Sequence, residues 1–235
     1  MPKIDLNNLK IRTCNSDDVK DIYSIQEIVI NNFKKNEKGY FLPFTEEWYL
    51  RIVNNPSKDG EIYGAFYDNK MIAWIFLSVS TRMEQIKSFI PDIIGKCADI
   101  DGVIVLPEYR GNGLQKILVN YLENKAKEKG ITNVIAEVTF GNEFSLRNLQ
   151  ELGYEIKTWY QKDKNIRRHI LLKKYESEWY QMSDEQYIDI AIEISKNAKY
   201  PYGTIIVKDN EIIGRSDDKT LMETSMYSHA ELEAI

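Results

Sequence analysis

Residues 103–115, VIVLPEYRGNGLQ, constrain this chain more than any other stretch, because a β-branched run enters a two-glycine turn that opens a long amphipathic helix. The first backbone N–H groups of a helix have no partner inside it, and the helix dipole adds partial positive charge there. Such a turn grips an anion, a diphosphate for example, mainly by main chain, and Gly111 and Gly113 allow close approach. A P-loop needs Lys-Ser or Lys-Thr after its last glycine, whereas Gly113 is followed by Leu114 and Gln115. A dinucleotide fingerprint needs a third glycine and an acidic residue about 20 positions on, and it fits no better. Downstream, the spacing predicts a helix over 114–129, a strand over 131–139 and a helix over 143–152, a βαβα run.

Together with Asn142, Ser145 and the Leu-Gly-Tyr run at 152–154, this series resembles the GNAT N-acetyltransferase superfamily. The family's acyl-CoA signature, Arg/Gln-x-x-Gly-x-Gly/Ala, reads here from Arg110 to Gln115, with Gln115 in place of a small residue. Its second cofactor segment, Asn-x-x-Ser/Ala followed by Leu-Gly-Phe/Tyr, reads at Asn142, Ser145 and Tyr154. The resemblance implies an α/β (α+β) acyltransferase fold whose mixed central sheet splays between two parallel strands, here 100–106 and 131–139. It implies acetyl-CoA as co-substrate, with the pantetheine arm paired to the main chain of Val103, Ile104 and Val105. Arg110, Gly111, Asn112, Gly113, Leu114 and Gln115 are the expected diphosphate site, and Asn142 and Ser145 are expected to line the arm.

Around this core the pattern is consistent with one domain over 1–174. Leu9–Thr13 reads as an opening strand, and residues 15–18 supply N-cap candidates for a helix carrying Val19, Ile22, Ile25, Ile28 and Val29. Thr45 precedes a short helix with acidic residues in its first turn. Strands over 61–67 and 71–80 flank hairpin-turn chemistry at 68–70, and 155–161 with 168–173 read as a closing hairpin. A linker over 175–182 follows.

Acetyl transfer to an amine needs a neutral nucleophile, a polarised thioester carbonyl and a proton route for the leaving thiolate. Asp101 is the first choice for a base, with Asp99 behind it, two residues back along the same strand and so on the same face. Many relatives carry a tyrosine in the second segment to protonate the leaving sulfur, and that position is Leu149 here. Tyr154 is read as the core aromatic and Tyr109 as a packing or rim residue. Phe33, Tyr40, Phe41, Phe44 and Trp48 offer an aromatic wall on the acceptor side, or simply core. Arg167 and Arg168 would draw an anionic acceptor, or form an ordinary solvated pair. The acceptor is a small-molecule or protein amine, and an acyl-CoA-binding protein with little catalysis is the alternative.

From about residue 183 the character changes: a helix, a hairpin over 202–214, and the run His229-Ala230-Glu231 at the start of another helix. That order resembles the opening of a zinc-dependent cytidine/deoxycytidylate deaminase, giving an incomplete α-β-β-α segment over 183–235 and, as a further alternative, part of a bifunctional enzyme. In that resemblance His229 is a zinc ligand and Glu231 shuttles protons. Zinc needs about four ligands, and no Pro-Cys-x-x-Cys follows before Ile235, so neither metal nor deamination is expected of this chain. The segment's unpaired edges make it a candidate homodimer contact.

Net charge narrows the partners. With 31 basic and 36 acidic residues, net −5, there is no overall positive field for nucleic acid. No apolar run approaches the ~20 residues that cross a bilayer, so no membrane partner and a cytoplasmic setting are expected. Cys14 and Cys97 have neither disulfide-framework nor metal spacing and are read as buried, inert thiols.

Overall fold

Alternating apolar residues in the first 174 positions build a seven-stranded sheet of order β1-β2-β3-β4-β5-β7-β6. The strands are β1 (Leu9–Thr13), β2 (Gly60–Tyr67), β3 (Lys70–Ser78), β4 (Cys97–Val105), β5 (Asn133–Thr139), β6 (Glu155–Asp163) and β7 (Ile166–Lys174). Neighbours run antiparallel except β4 and β5, which are parallel, so the sheet is mixed. The computed structural model describes residues 3–56, 60–79, 85, 88–91, 93, 95–163, 166–175, 184–196, 202–208 and 211–217.

The β2–β3 hairpin shows local chemistry at work. Asp68 and Asn69 both take positive φ, 48° and 62°, and Tyr67 pairs with Lys70 across a two-residue loop. Such primed turns match the twist of the strands they join, and Asp and Asn tolerate the left-handed region. Lys70 therefore belongs to the strand and not to the turn.

Helices cover both faces. α1 (Val19–Asn31) buries Val19, Ile22, Ile25 and Val29, and α2 (Glu46–Asn54) starts where the Thr45 side chain accepts from the Trp48 N–H. Both pack against Trp74, Phe76 and Ile104. Trp74, itself fully buried, donates its indole N–H to the Ile22 carbonyl at 3.2 Å. On the other face α3 (Leu114–Glu128) buries Leu114, Leu118, Val119, Leu122 and Ala126, one helical stripe set against Tyr63, Ala65, Ala98 and Val134. Truncating Leu118 or Leu122 to alanine there costs about 2–5 kcal/mol.

Contacts divide the chain into two compact units, Met1–Glu176 and Ser177–Ile235. After α4 (Glu143–Glu151) and the closing hairpin, the second unit holds α5 (Asp184–Lys196) and the hairpin β8 (Gly203–Lys208) with β9 (Glu211–Asp217). His229, Glu231 and the final helix of the deaminase-like pattern lie outside the described residues. Among the described residues no helix is long and apolar enough to cross a membrane.

Several boundaries move from expectation for one reason. β4 begins at Cys97, not at 100, because residues 97–100 are buried and pair with 133–136 of β5. β6 likewise runs on to Asp163 through pairing with β7. Ladder partners, which are remote in sequence, set those ends.

Candidate active site

The parallel ladder between β4 and β5 ends at Ile100 and Ala136. Beyond that pair β4 runs on to Val105 and β5 to Thr139 without bonding each other, while each keeps its outer neighbour, β3 and β7. The two strands part like a wedge. A cavity of about 1390 Å³ opens there, with residues 100–105 on one wall and 136–139 on the other. A backbone ladder left unpaired beside a cavity is a ready partner for an extended ligand.

At the mouth of the wedge lies the start of α3. A single 3-10 turn over Pro107–Tyr109 brings the chain to Arg110, then Gly111 and Gly113 take φ of 80° and 73°. Gly113 is the N-cap and no side chain caps the helix, in contrast to α2 and α4. A Cβ added at Gly113 would meet nothing within 4 Å. Glycine is thus required here by φ, and the space before it stays clear. Uncapped N–H groups, the helix dipole and clear space together form an anion site. Arg110, Gly111, Gly113, Leu114, Gln115 and Lys116 all line the cavity.

The Asn112 side chain is bonded within the protein. Its Oδ1 accepts from the Ile4 N–H at 3.2 Å and its Nδ2 donates to the Tyr109 carbonyl at 3.0 Å, so its side chain holds the turn together. Gln115, the departure from the family pattern, donates to Ser145 Oγ at 2.9 Å and accepts from Asn148 Nδ2 at 2.7 Å. Asn142 caps α4, its Oδ1 accepting from the Ser145 N–H at 3.3 Å. Asn142, Ser145 and Asn148 line the cavity with Gln115. Sequence reasoning missed Asn148, which only its contact with Gln115 reveals.

The two aspartates part company. Phe76 faces Gly102 and Leu77 faces Ile100, so Asp101 is the extra residue of a β-bulge. The bulge reverses the alternation: Ala98 and Ile100 pack toward α3 before it, Val103 and Val105 after it. Asp101 lines the cavity. Asp99, at 3% exposure, is buried on the face away from α3. Asp99 lies within the β4–β5 ladder, opposite Ile135, and Asp101 lies past its last pair, where the strands part. Gly102 sits beneath Phe41, where a Cβ would come within 2.8 Å of the ring.

Facing the bulge, Phe33, Tyr40, Phe41 and Phe44 line the cavity, while Trp48 stacks behind Phe44 with ring centroids 3.9 Å apart. Tyr40 donates to the Gly141 carbonyl at 2.6 Å and Thr139 Oγ1 to the Gly39 carbonyl at 3.0 Å, tying this loop to the β5–α4 turn. Burial, then the charges of Glu37 and Glu143, push the Tyr40 hydroxyl pKa up. Leu149 is buried at the cavity wall and offers no proton. Tyr154 is core, 2% exposed, and burial raises its pKa. Tyr109 packs against both large core clusters and reaches the cavity.

The arginine pair also divides. Arg167 lies over the Trp159 ring at 5.6 Å, on the outside. Arg168 is buried at the cavity beside Glu137, Tyr160 and Lys162, a group that sequence reasoning did not single out. Its signal was Glu137, the lone carboxylate in an otherwise uncharged strand. Both thiols are buried, and burial pushes the Cys14 pKa up to about 12. Among the described residues no group of three or more His, Cys, Asp or Glu is placed to hold a metal.

With this geometry in hand, comparison with known proteins is specific. The family model for the acetyltransferase (GNAT) family matches residues 22–154. Among solved structures, the yncA protein of Salmonella typhimurium with its cofactor acetyl-CoA aligns with a TM-score of 0.59 at 13% identity, covering 75% of this chain and 99% of that one. The ribosomal-protein-alanine N-acetyltransferase of Brucella melitensis gives 0.56 at 16% identity, covering 71% and 99%. The PaiA N-acetyltransferase of Thermoplasma acidophilum in complex with coenzyme A gives 0.51 at 18%, covering 71% and 99%. No curated protein matches. No comparison supports the deaminase-like reading of 183–235.

Proposed function

Because the chain belongs to the acetyltransferase (GNAT) family, we propose that its first unit moves an acetyl group from acetyl-CoA to an amine, directly, in a ternary complex. The observation that carries this reading is the parting of β4 from β5 after Ile100 and Ala136, beside the uncapped start of α3. Structural neighbours solved with acetyl-CoA and with coenzyme A support the choice of ligand.

Acetyl-CoA bound there supplies a thioester: a C–N bond to the amine forms, the C–S bond breaks, and the amine's proton leaves. The main chain of Val103, Ile104 and Val105 pairs with the extended arm. The N–H groups around Gly111, Gly113 and Leu114 hold the diphosphate, with Arg110 adding charge. Asn142 and Ser145 border the arm. Asp101, at the bulge in the cavity wall, takes the amine's proton directly or through one water. Asp99 is the second choice. Leu149 gives no proton to sulfur, and with a reference thiol pKa of about 8.5 the thiolate leaves adequately near neutral pH.

Calorimetric titration of acetyl-CoA into the protein, followed by thiol release with a panel of amines, tests the reading. We expect saturable one-site binding and amine-dependent turnover. Absence of binding heat would discard the assignment; binding without turnover by any amine would leave an acyl-CoA-binding protein.

A further inference from the structure

We infer that the acceptor amine carries an aromatic or comparably bulky apolar group, seated on a preset wall formed by Phe33, Phe41 and Phe44. This deepens the acetyltransferase reading and rests on it. The loop between α1 and α2 that bears these rings reaches both strands of the wedge. The Phe41 ring lies over Gly102 of β4, so close that a Cβ there would come within 2.8 Å of it. Two residues earlier the Gly39 carbonyl accepts from Thr139 Oγ1 of β5 at 3.0 Å, and between them the Tyr40 hydroxyl donates to the Gly141 carbonyl at 2.6 Å. Residues 39–41 thus strap together the two strands that part after Ile100 and Ala136.

The far end of the loop is fixed as firmly. Gln26, fully buried in α1, donates from Nε2 to the Phe44 carbonyl and accepts at Oε1 from the Phe44 N–H, both at 2.9 Å, while the Tyr49 hydroxyl donates to the same oxygen at 2.5 Å. A buried amide that satisfies the main chain in this way holds the loop in place before a ligand arrives, so little ordering remains to oppose binding. The rings are set as well. Phe41 meets Phe44 and the buried Trp74 edge-on at 5.8 and 5.9 Å, and Phe33 meets Tyr40 edge-on at 6.2 Å.

Phe33, Phe41 and Phe44 are half-buried and line the cavity, so each still turns apolar surface toward a ligand. Among the described loop residues lining the cavity, Glu37 alone is charged, and its Oε2 accepts from the Lys34 N–H at 2.9 Å. Asp101, Glu137, Lys162 and Arg168, which also line the cavity, stand on the strands of the sheet and not on this loop. Removing such a wall from water favours an acceptor whose side group covers the rings. Phe41 rests on Gly102, the neighbour of Asp101 at the bulge, so a group on these rings brings its amine beside the proposed base. The expected class is a primary amine a few bonds from a phenyl or branched alkyl group, either free or at the head of a peptide.

The test is acetyl-CoA turnover with matched acceptors: 2-phenylethylamine and isoamylamine against ethylamine, ethanolamine and putrescine, and tripeptides led by phenylalanine against the same tripeptides led by glycine or lysine. The apolar member of each set is expected to exceed its polar or smaller counterparts in kcat/KM by roughly 10- to 10²-fold, as covering a phenyl or branched alkyl group predicts. A preference in either set supports the inference, and the set that shows it identifies the source of the amine. Phe33→Ala and Phe41→Leu should each reduce the ratio severalfold, mainly through KM for the apolar acceptor, with acetyl-CoA affinity retained. Equal or better turnover of the polar and smaller acceptors overturns the inference, as does a preference that survives both substitutions combined. Loss of acetyl-CoA affinity in both variants would assign the rings to the cofactor and overturns it as well. So does failure of every amine while acetyl-CoA still binds. Failure of acetyl-CoA to bind the parent protein sinks instead the reading on which the inference rests.

Discussion

Gln115 donates from Nε2 to Ser145 Oγ at 2.9 Å, and so ties the first turn of α3 to the first turn of α4. Asn148 completes the link by donating to Gln115 Oε1. A small residue at this position would remove both bonds, leaving the Lys116–Glu151 ion pair and apolar packing to join the two helices. Gln115→Ala should lower stability by about 0.5–1.5 kcal/mol for each bond lost, read as a fall in Tm. Acetyl-CoA affinity should stay within about threefold, because main-chain donors hold the diphosphate. A loss of binding beyond tenfold, about 1.4 kcal/mol, would make the Gln115 side chain itself a ligand.

Gly113 offers the converse experiment. Its φ of 73° penalises any L side chain, and a Cβ there would meet nothing within 4 Å. Gly113→Ala should therefore cost only about 1–2 kcal/mol of stability, yet place a methyl group where the diphosphate approaches. Calorimetry should show acetyl-CoA binding weakened tenfold or more, as for a displaced charged hydrogen bond. Unchanged affinity would put the diphosphate elsewhere.

Asp101 and Asp99 are separable by kinetics. Asp101→Asn should lower kcat by about 10²- to 10⁴-fold, the range for a positioned general base, while acetyl-CoA binds as before. Asp99→Asn, a change in a buried residue, should act mainly on Tm. The reverse pattern would transfer the role to Asp99.

Asp18 sets part of the acid limit of the fold. Arg12 donates from Nη1 and Nη2 to its two oxygens at 2.7 and 2.8 Å, and the Asn15 N–H donates at 2.9 Å. The Arg12 bond is the chief reason the Asp18 pKa lies below the usual carboxylate range. A depressed folded-state pKa contributes stability above the unfolded value, about 3.9, and that contribution disappears as pH falls through the folded value. Arg12 is half exposed, so solvent screening limits the pair to about 1 kcal/mol or less. Asp18→Asn should lower Tm near pH 7, with the difference from the parent protein closing below about pH 4. A constant difference across that range would show that the carboxylate's charge is not involved.

The strand, glycine turn and helix over 100–128 were legible in the sequence because their causes are local. Glycine φ at 111 and 113, the 3.6-residue stripe of α3, the Thr45 cap and the Asp68–Asn69 turn each depend on residues a few positions apart. The acyl-CoA signature was readable for the same reason, since its donors are consecutive main-chain groups.

Tertiary structure decided what depends on register. That Asp101 lines the cavity while Asp99 is buried depends on where β4 parts from β5, a strand remote in sequence. Arg167 and Arg168, adjacent and alike in the sequence, point to opposite faces of β7, and only pairing with β5 and β6 says which faces inward. Only the tertiary structure shows that the Asn112 side chain accepts from the Ile4 N–H. The physical reason is that a local pattern specifies backbone shape, whereas strand register and contacts between segments remote in sequence are settled only when the partner segments are in place.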